Sequence, residues 1–478
     1  MGTTSYTPPT SVDDRVPDSR IDGGLFEPRL EASFRSYAGS RRPQALGLMT
    51  PSRDRIPRRL GLYQDGPFRI LGPADNSRLV PTPSDRAFLR FAIEVGTEFE
   101  EIVLFVRARR VGSLDDSDQA LPPEVGFVEL PYYESLLALG QVARALPGTA
   151  RAFWRGLDRV DAVWVLGPHP LSFILVALAL ARRKRAVLGV RQDTVAYFRS
   201  RLGNRRAAGL LAARAWNLGF RALARRVATV VVGAELERQY KGPRTGLLQI
   251  NVAQLRSADV VNTPSTRDWS GPIGLLTVGR IDKEKNPLLL VDAFARVSRA
   301  HPGRFSLSWV GTGPLEPDVR RRAADAGVLD AIDFVGFLEF GDALLARYRS
   351  AHIFVHVSLT EGVPATIIEA LGSGTPVVAT AVGGVPAALE YGRAGLLVPP
   401  SNTVALVAAI ERLATDRVLW NHFAAYGPTL ASGRTLDVNA RRVARFIAGS
   451  VPEGSPNQPA NEDTRPRGSQ NGVADDPV

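Results

Sequence analysis

The 478-residue chain contains no cysteine. Disulfides, thiolate metal sites and a cysteine nucleophile are therefore excluded. No Gly-rich loop ends in Lys-Ser or Lys-Thr, so the phosphate cradle of P-loop ATP hydrolysis is missing as well. Long apolar runs are also absent. The longest, Pro170 to Ala181, falls short of the roughly 20 residues that span a bilayer and reads as a buried helix. The first residues are polar and hold no apolar segment, so no signal peptide is expected. No fixed-period repeat is visible. These absences lead to the expectation of a cytoplasmic protein, peripheral at most on the inner face of a membrane.

What is present is ordinary in bulk and uneven in detail. Hydrophobic residues make up 45% and charged residues 22%, the balance of a globular protein long enough for two or three domains. The net charge of +11 is concentrated: residues 151–226 hold 16 Lys/Arg against 3 Asp/Glu. Such a basic face attracts anionic membrane, nucleic acid or an acidic acceptor. Nucleic acid is not expected here. Peripheral contact with an anionic membrane through residues 151–226 is the expected partner surface. Within it, Leu202 to Val227 reads as a helix mixing Leu210, Leu211, Ala213, Trp216, Leu218 and Phe220 with Arg205, Arg206, Arg214, Arg221, Arg225 and Arg226. Such a helix can lie on a membrane surface, or serve as a core helix with a solvated Arg face.

Strand and helix patterns alternate, which predicts α/β architecture with two doubly wound parallel sheets. Residues 1–64 read as a disordered basic tail carrying Arg41, Arg42, Arg53, Arg55, Arg58 and Arg59. Residues 65–256 form a first Rossmann-like domain, opened by a strand at 68–71. A linker covers 257–271. A second Rossmann-like domain follows at 272–430, with strands at 274–278, 306–310, 332–335, 353–357, 376–379 and 395–398. A C-terminal helix at 431–450 packs back on the first domain, and 451–478 form a disordered tail.

The chemistry gathers where strands end. After the apolar strand 353–357 comes Glu361-Gly362-Val363-Pro364-Ala365-Thr366, which opens a helix carrying Glu369 about two turns in. Gly362 permits close backbone approach to a ligand, Pro364 suits a first helical turn, and the free N–H groups there can bind an anion. After the strand at 274–278, Arg280 and Lys285 supply cations, the guanidinium with bidentate geometry for phosphate. Gly311-Thr312-Gly313 marks a turn after the next strand, and Phe337-Leu338 follow another. In the first domain, His169 in Gly167-Pro168-His169-Pro170 and Arg191-Gln192 stand at carboxyl ends of strands, where open α/β sheets bind ligands. The alternative for His169 is a loop residue capping backbone groups. Metal binding is not expected. Asp116-Ser117-Asp118 has the spacing of a manganese motif without a strand leading into it. His352 and His356 lie in a strand, roughly 13 Å apart, too far to share an ion.

Gly279-Arg280 with Lys285, Gly311-Thr312-Gly313-Pro314, the Glu361/Glu369 pair and Gly383-Gly384-Val385-Pro386 together resemble the retaining glycosyltransferases of family four, over residues 274–400. The resemblance implies the GT-B fold, two Rossmann-like domains facing across a cleft, with a nucleotide diphosphate sugar bound mainly by the second. It implies a metal-independent hexosyltransferase without cofactor. The acceptor would be a glycan or lipid-linked molecule of the cell envelope. By the same resemblance Glu361 contacts the sugar hydroxyls, Glu369 the ribose, and the backbone at Phe337 and Leu338 the base. Many such enzymes carry a His by the reaction centre where this chain has Arg191 or Gln192. The rivals are another GT-B enzyme, an epimerase or a phosphorylase, and an inactive relative serving as a membrane- or polymer-binding scaffold.

Overall fold

The computed structural model describes residues 56–72, 78–82, 85–112, 120–135, 138–191, 207–241, 246–263, 266–362 and 364–449. All of them belong to one unit, Leu48–Val478.

The first sheet is built from β1 (Ile56–Leu71), β2 (Arg78–Pro81), β3 (Phe99–Val111), β4 (Gly126–Leu130), β5 (Ala162–Gly167), β6 (Arg185–Val190), β7 (Ala228–Val232) and β8 (Leu247–Ile250). Their order is β4-β3-β1-β5-β6-β7-β8, parallel throughout, with β2 antiparallel on β1. Runs such as Val103–Val106 and Ala162–Val165 are buried on both faces, because helices cover both sides of a parallel sheet. The strand order reverses between β1 and β5, which makes that gap the sheet's switch point.

β1 starts at Ile56, inside the span expected to be a tail. The expected strand 68–71 is only its end. Leu60, Leu62 and Tyr63 are buried and pair in register with β3 and β5, so burial overrides the polar look of Arg58-Arg59. Both arginines have partners: Arg59 pairs with Asp161 at 3.3 Å, and Arg58 donates to the Ala448 carbonyl at 2.6 Å. Arg41, Arg42, Arg53 and Arg55 lie outside the described residues.

Helices α1 (Arg86–Thr97), α2 (Leu139–Gly156), α3 (Pro170–Ala181) and α4 (Ala207–Ala224) cover this sheet. On α4, Ala213 and Phe220 are buried and Trp216 packs against the same core, while Arg214 and the following Arg225 and Arg226 are exposed. It is a core helix with a solvated Arg face. Leu211 and Leu218 nevertheless stand 62% exposed on it. Among the described residues no helix is long and apolar enough to cross a membrane.

The second sheet contains β9 (Ile273–Val278), β10 (Phe305–Val310), β11 (Ile332–Gly336), β12 (Ile353–His356), β13 (Val377–Thr380) and β14 (Gly395–Val398), in the order β11-β10-β9-β12-β13-β14. Every pairing is parallel, and each strand begins within one residue of its predicted start. The switch point lies between β9 and β12.

The chain enters the second lobe's core before the expected linker. Ala253 and Leu255 are wholly buried there, with Leu255 Cδ2 only 2.1 Å from where a Cβ on Gly372 would stand. The helix Leu436–Ala448 returns to the first lobe. Arg185 donates to the carbonyls of Ile447 at 2.5 Å and Phe446 at 3.1 Å, satisfying acceptors that a helix end leaves open. Leu255 therefore anchors the connection between lobes. Leu255→Ala is expected to lower the free energy of urea unfolding by about 2–5 kcal/mol. A loss under about 1 kcal/mol would show that the site collapses without penalty.

Candidate functional site

β9 ends at Val278, and the chain turns through Gly279 and Arg280 into a short 3-10 turn, Lys283–Lys285. The Asp282 carboxylate caps that turn by accepting the Lys285 N–H at 3.1 Å. Asn286 in the left-handed region and Pro287 then start α5 (Pro287–Ala300). The capped turn aims the Lys285 ammonium across the switch point at Glu361, which follows β12, and the two form an ion pair. The same Glu361 oxygen, Oε1, accepts from His356 Nε2 at 2.9 Å and from Ser358 Oγ at 2.7 Å. Among the described residues Oε2 has no protein partner. Burial alone would raise the Glu361 pKa. The His356 hydrogen bond and the Lys285 charge outweigh it and hold the carboxyl down at about 2. The group is ionised at every physiological pH.

Gly279, Arg280, Lys285, His356 and Ser358 line one small cleft. Arg280 is exposed, and its contacts to Asp282 at 3.0 Å and Glu284 at 3.3 Å are surface pairs of the kind that hold little energy. Its guanidinium can exchange those contacts for a ligand phosphate at small cost.

The glycines behind the cleft serve backbone packing. A Cβ on Gly311 would lie 2.0 Å from the Gly279 carbonyl oxygen, and one on Gly313 2.3 Å from that of Ile281. A Cβ on Gly383 would lie 1.8 Å from the Glu361 carbonyl oxygen, at a φ of +50°. These residues hold the site loops in register.

Glu369 sits in different surroundings. It lies about one turn into the short helix α6 (Ala365–Gly372) and is buried. Its buried carboxyl accepts from the Tyr348 hydroxyl at 3.0 Å and from the Gln254 backbone N–H, with Arg90 of α1 nearby. Burial dominates and raises its pKa to about 7, against the pull of those partners. The paired acids are thus one fully ionised and one poised between forms. Pro364 is the N-cap of that helix rather than a first-turn residue, Ala365 and Thr366 are half-buried in its first turn, and Gly362 is exposed. Val363 lies outside the described residues. Phe337 projects into solvent, 74% exposed, after Gly336 turns the chain at φ +79°, while Leu338 packs on the core.

At the switch point of the first sheet His169 is buried. It caps α3: Nδ1 accepts the Leu171 N–H at 3.2 Å, which leaves Nε2 to donate to Asp65 at 2.7 Å. Asp65 also accepts from Tyr63 at 3.1 Å, Arg107 at 3.2 Å and Tyr133. Burial pushes the Asp65 pKa up, and the His169 hydrogen bond with the Arg107 charge brings it below the ordinary value. Arg191 follows β6, its guanidinium 4.2 Å over the Phe88 ring. Gln192, Asp116 and Asp118 fall outside the described residues. His352 and His356 have separate partners: His352 accepts from the Gly274 N–H and contacts the Asp268 carbonyl, each at 3.0 Å.

Sequence reasoning missed His356 and Ser358 as partners of Glu361, weighing His356 only against His352 as a metal ligand. The signal was a polar residue at a buried strand's end, two before Ser and five before Glu. It also missed Asp65, where Gln-Asp-Gly-Pro follows the apolar Leu60–Tyr63.

Residues 272–416 match the family described as Glycosyl transferases group 1. The amylovoran biosynthesis glycosyltransferase AmsK of Erwinia amylovora is 32% identical over 149 residues, 30% of this chain and 36% of that protein. A D-inositol 3-phosphate glycosyltransferase of Acidothermus cellulolyticus is 38% identical over 148 residues, 29% of this chain and 33% of that protein. The chain thus spans about a third of the length of these curated relatives. Among solved structures, Anabaena HepE in complex with UDP superposes with a TM-score of 0.57 at 17% identity, covering 82% of this chain and 100% of that one. The fold is GT-B.

Glu369 generates a pH prediction. Its folded pKa lies above the unfolded value, so its stabilising contribution is complete below about pH 4.5 and is lost as pH rises through about 7. Relative to wild type, Glu369→Gln should gain up to about 3 kcal/mol between pH 5 and pH 8. Thermal midpoints of the two proteins that run parallel across that range would remove the assignment.

Proposed function

We propose that this chain is a retaining, metal-independent glycosyltransferase of the hexosyl type. It moves a sugar from a nucleotide diphosphate sugar to a cell-envelope glycan or lipid-linked acceptor. One observation carries this reading: Lys285 and an ionised Glu361 bridge the switch point of the second sheet, with Arg280 lining the same cleft. Cations for a diphosphate and a carboxylate for sugar hydroxyls stand side by side there. The names of the relatives, a polysaccharide and an inositol phosphate glycosyltransferase, agree with it, and the UDP held by HepE makes UDP the first diphosphate to test.

In this reading the diphosphate lies against Arg280, Lys285 and the backbone after Gly362. As the sugar–phosphate bond breaks, negative charge grows on the leaving oxygen. Fixed positive groups stabilise that charge without reorganising, so they act on the transition state more than on the bound donor. Glu361 Oε2, the oxygen its neighbours leave open, accepts a sugar hydroxyl and holds the ring in place. Glu369 takes the ribose. The acceptor approaches from the first lobe on the face the diphosphate leaves, which keeps the anomeric configuration.

Glu361→Ala and Arg280→Ala are each expected to reduce transfer by about a hundredfold or more, measured by product formation from radiolabelled donor. Near-wild-type turnover in both, with unchanged circular dichroism, would count against the assignment.

Residues 151–226 support a membrane contact as part of the same reading. Trp154, Ile174, Leu180, Leu211 and Leu218 are exposed on elements that carry or run into the exposed Arg151, Arg155, Arg183 and Arg214. Flotation with vesicles containing anionic lipid should capture the protein at low salt and release it as salt rises. Capture indifferent to lipid charge would remove this part.

A further inference from the structure

The carboxyl edge of the first sheet holds two polar groups that the site described above leaves unused. Gln64, on β1 at the switch point, is 2% exposed, and among the described residues neither its Oε1 nor its Nε2 has a partner. Buried amides are rarely left so, because desolvation is uncompensated without a hydrogen bond. The second group is Arg191. Its guanidinium is largely withdrawn from water and stacks on Phe88, yet it forms no ion pair among the described residues.

Both groups stand at the carboxyl edge on either side of β5: Gln64 follows Tyr63, which pairs with Val165, and Arg191 follows Val190, which pairs with Gly167. A Cβ on Gly66 would lie 2.6 Å from Asp85 Oδ2 and 3.5 Å from Gln64 Nε2, so carboxylate and amide border the same glycine. The Asp85 charge in turn acts on Arg191. The Arg191 backbone N–H bonds to the Gly167 carbonyl at 3.4 Å, which fixes it at the end of β5. The adjoining Asp65–His169 cluster has no such unmet group, since its donors and acceptors satisfy one another.

We propose that Gln64 and Arg191 form an acceptor subsite, and that the acceptor carries an anionic group, a carboxylate or a phosphate on a sugar. Arg191 grips that group with two parallel hydrogen bonds, and the Gln64 amide takes an adjacent hydroxyl. The inference rests on the glycosyltransferase reading. It adds the charge of the acceptor and the two residues that recognise it.

Calorimetric titration of the full chain saturated with UDP tests it, using glucose, glucuronate and glucose 6-phosphate as probes. UDP occupies the diphosphate site, so a second anion reports on a different place. One anionic probe should bind at least about tenfold tighter than glucose, and its identity tells carboxylate from phosphate. Arg191→Gln should erase that gap, and Arg191→Lys should keep part of it. Gln64→Leu should weaken the same probe severalfold while raising the melting temperature, because it removes an unpaired buried amide. Equal binding of the three probes, no binding by any of them, or a gap that survives Arg191→Gln overturns the inference. Failure of wild type to bind UDP or GDP strikes the underlying reading instead.

Discussion

The convergence of Lys285, His356 and Ser358 on one oxygen of Glu361 is the constraint on which the second lobe's site depends. Each donor comes from a different stretch of chain: a capped turn after β9, the end of β12, and the loop behind it. Burial raises the pKa of this carboxylate, and His356 and Lys285 more than offset it. The arrangement does two things together. It fixes the loop after β12, and it leaves the other oxygen charged, oriented and free for a ligand hydroxyl.

The two sheets apply one plan at their switch points, to different effect. In the second, an acid and its donors leave an open oxygen and a line of cations. In the first, Asp65 receives His169, Tyr63, Arg107 and Tyr133 and is saturated by them. Gln64 and Arg191, on the same sheet edge, lack such partners among the described residues. A fully satisfied polar network rigidifies, whereas an unsatisfied group is a place where a ligand can improve the energy.

The second lobe was largely legible in the sequence because its strands are short, mostly apolar runs, three of them followed at once by Gly279, Gly311 or Pro399. Arg280, Lys285 and Glu361 could be placed by counting from strand ends. The first lobe was harder. β1 opens with Ile-Pro-Arg-Arg, whose charge resembles the polar tail before it, and only pairing with β3 and β5 reveals the strand. Glu369 was legible as a position and not as an environment, since its partners Gln254 and Arg90 are remote in sequence. The same holds for Leu255, whose place in the second core depends on the missing side chain of Gly372. Side chains that meet across lobes leave no periodic trace.

Gly311, Gly313 and Gly383 have a consequence for how such a chain can change over generations. Each sits against a carbonyl oxygen of a loop that bears a cation or the acid, with no room for one more carbon. Amino-acid exchange at these positions displaces backbone, not a flexible side-chain tip. The range of heritable change at these three positions is therefore narrow, because any replacement must first move a main-chain carbonyl.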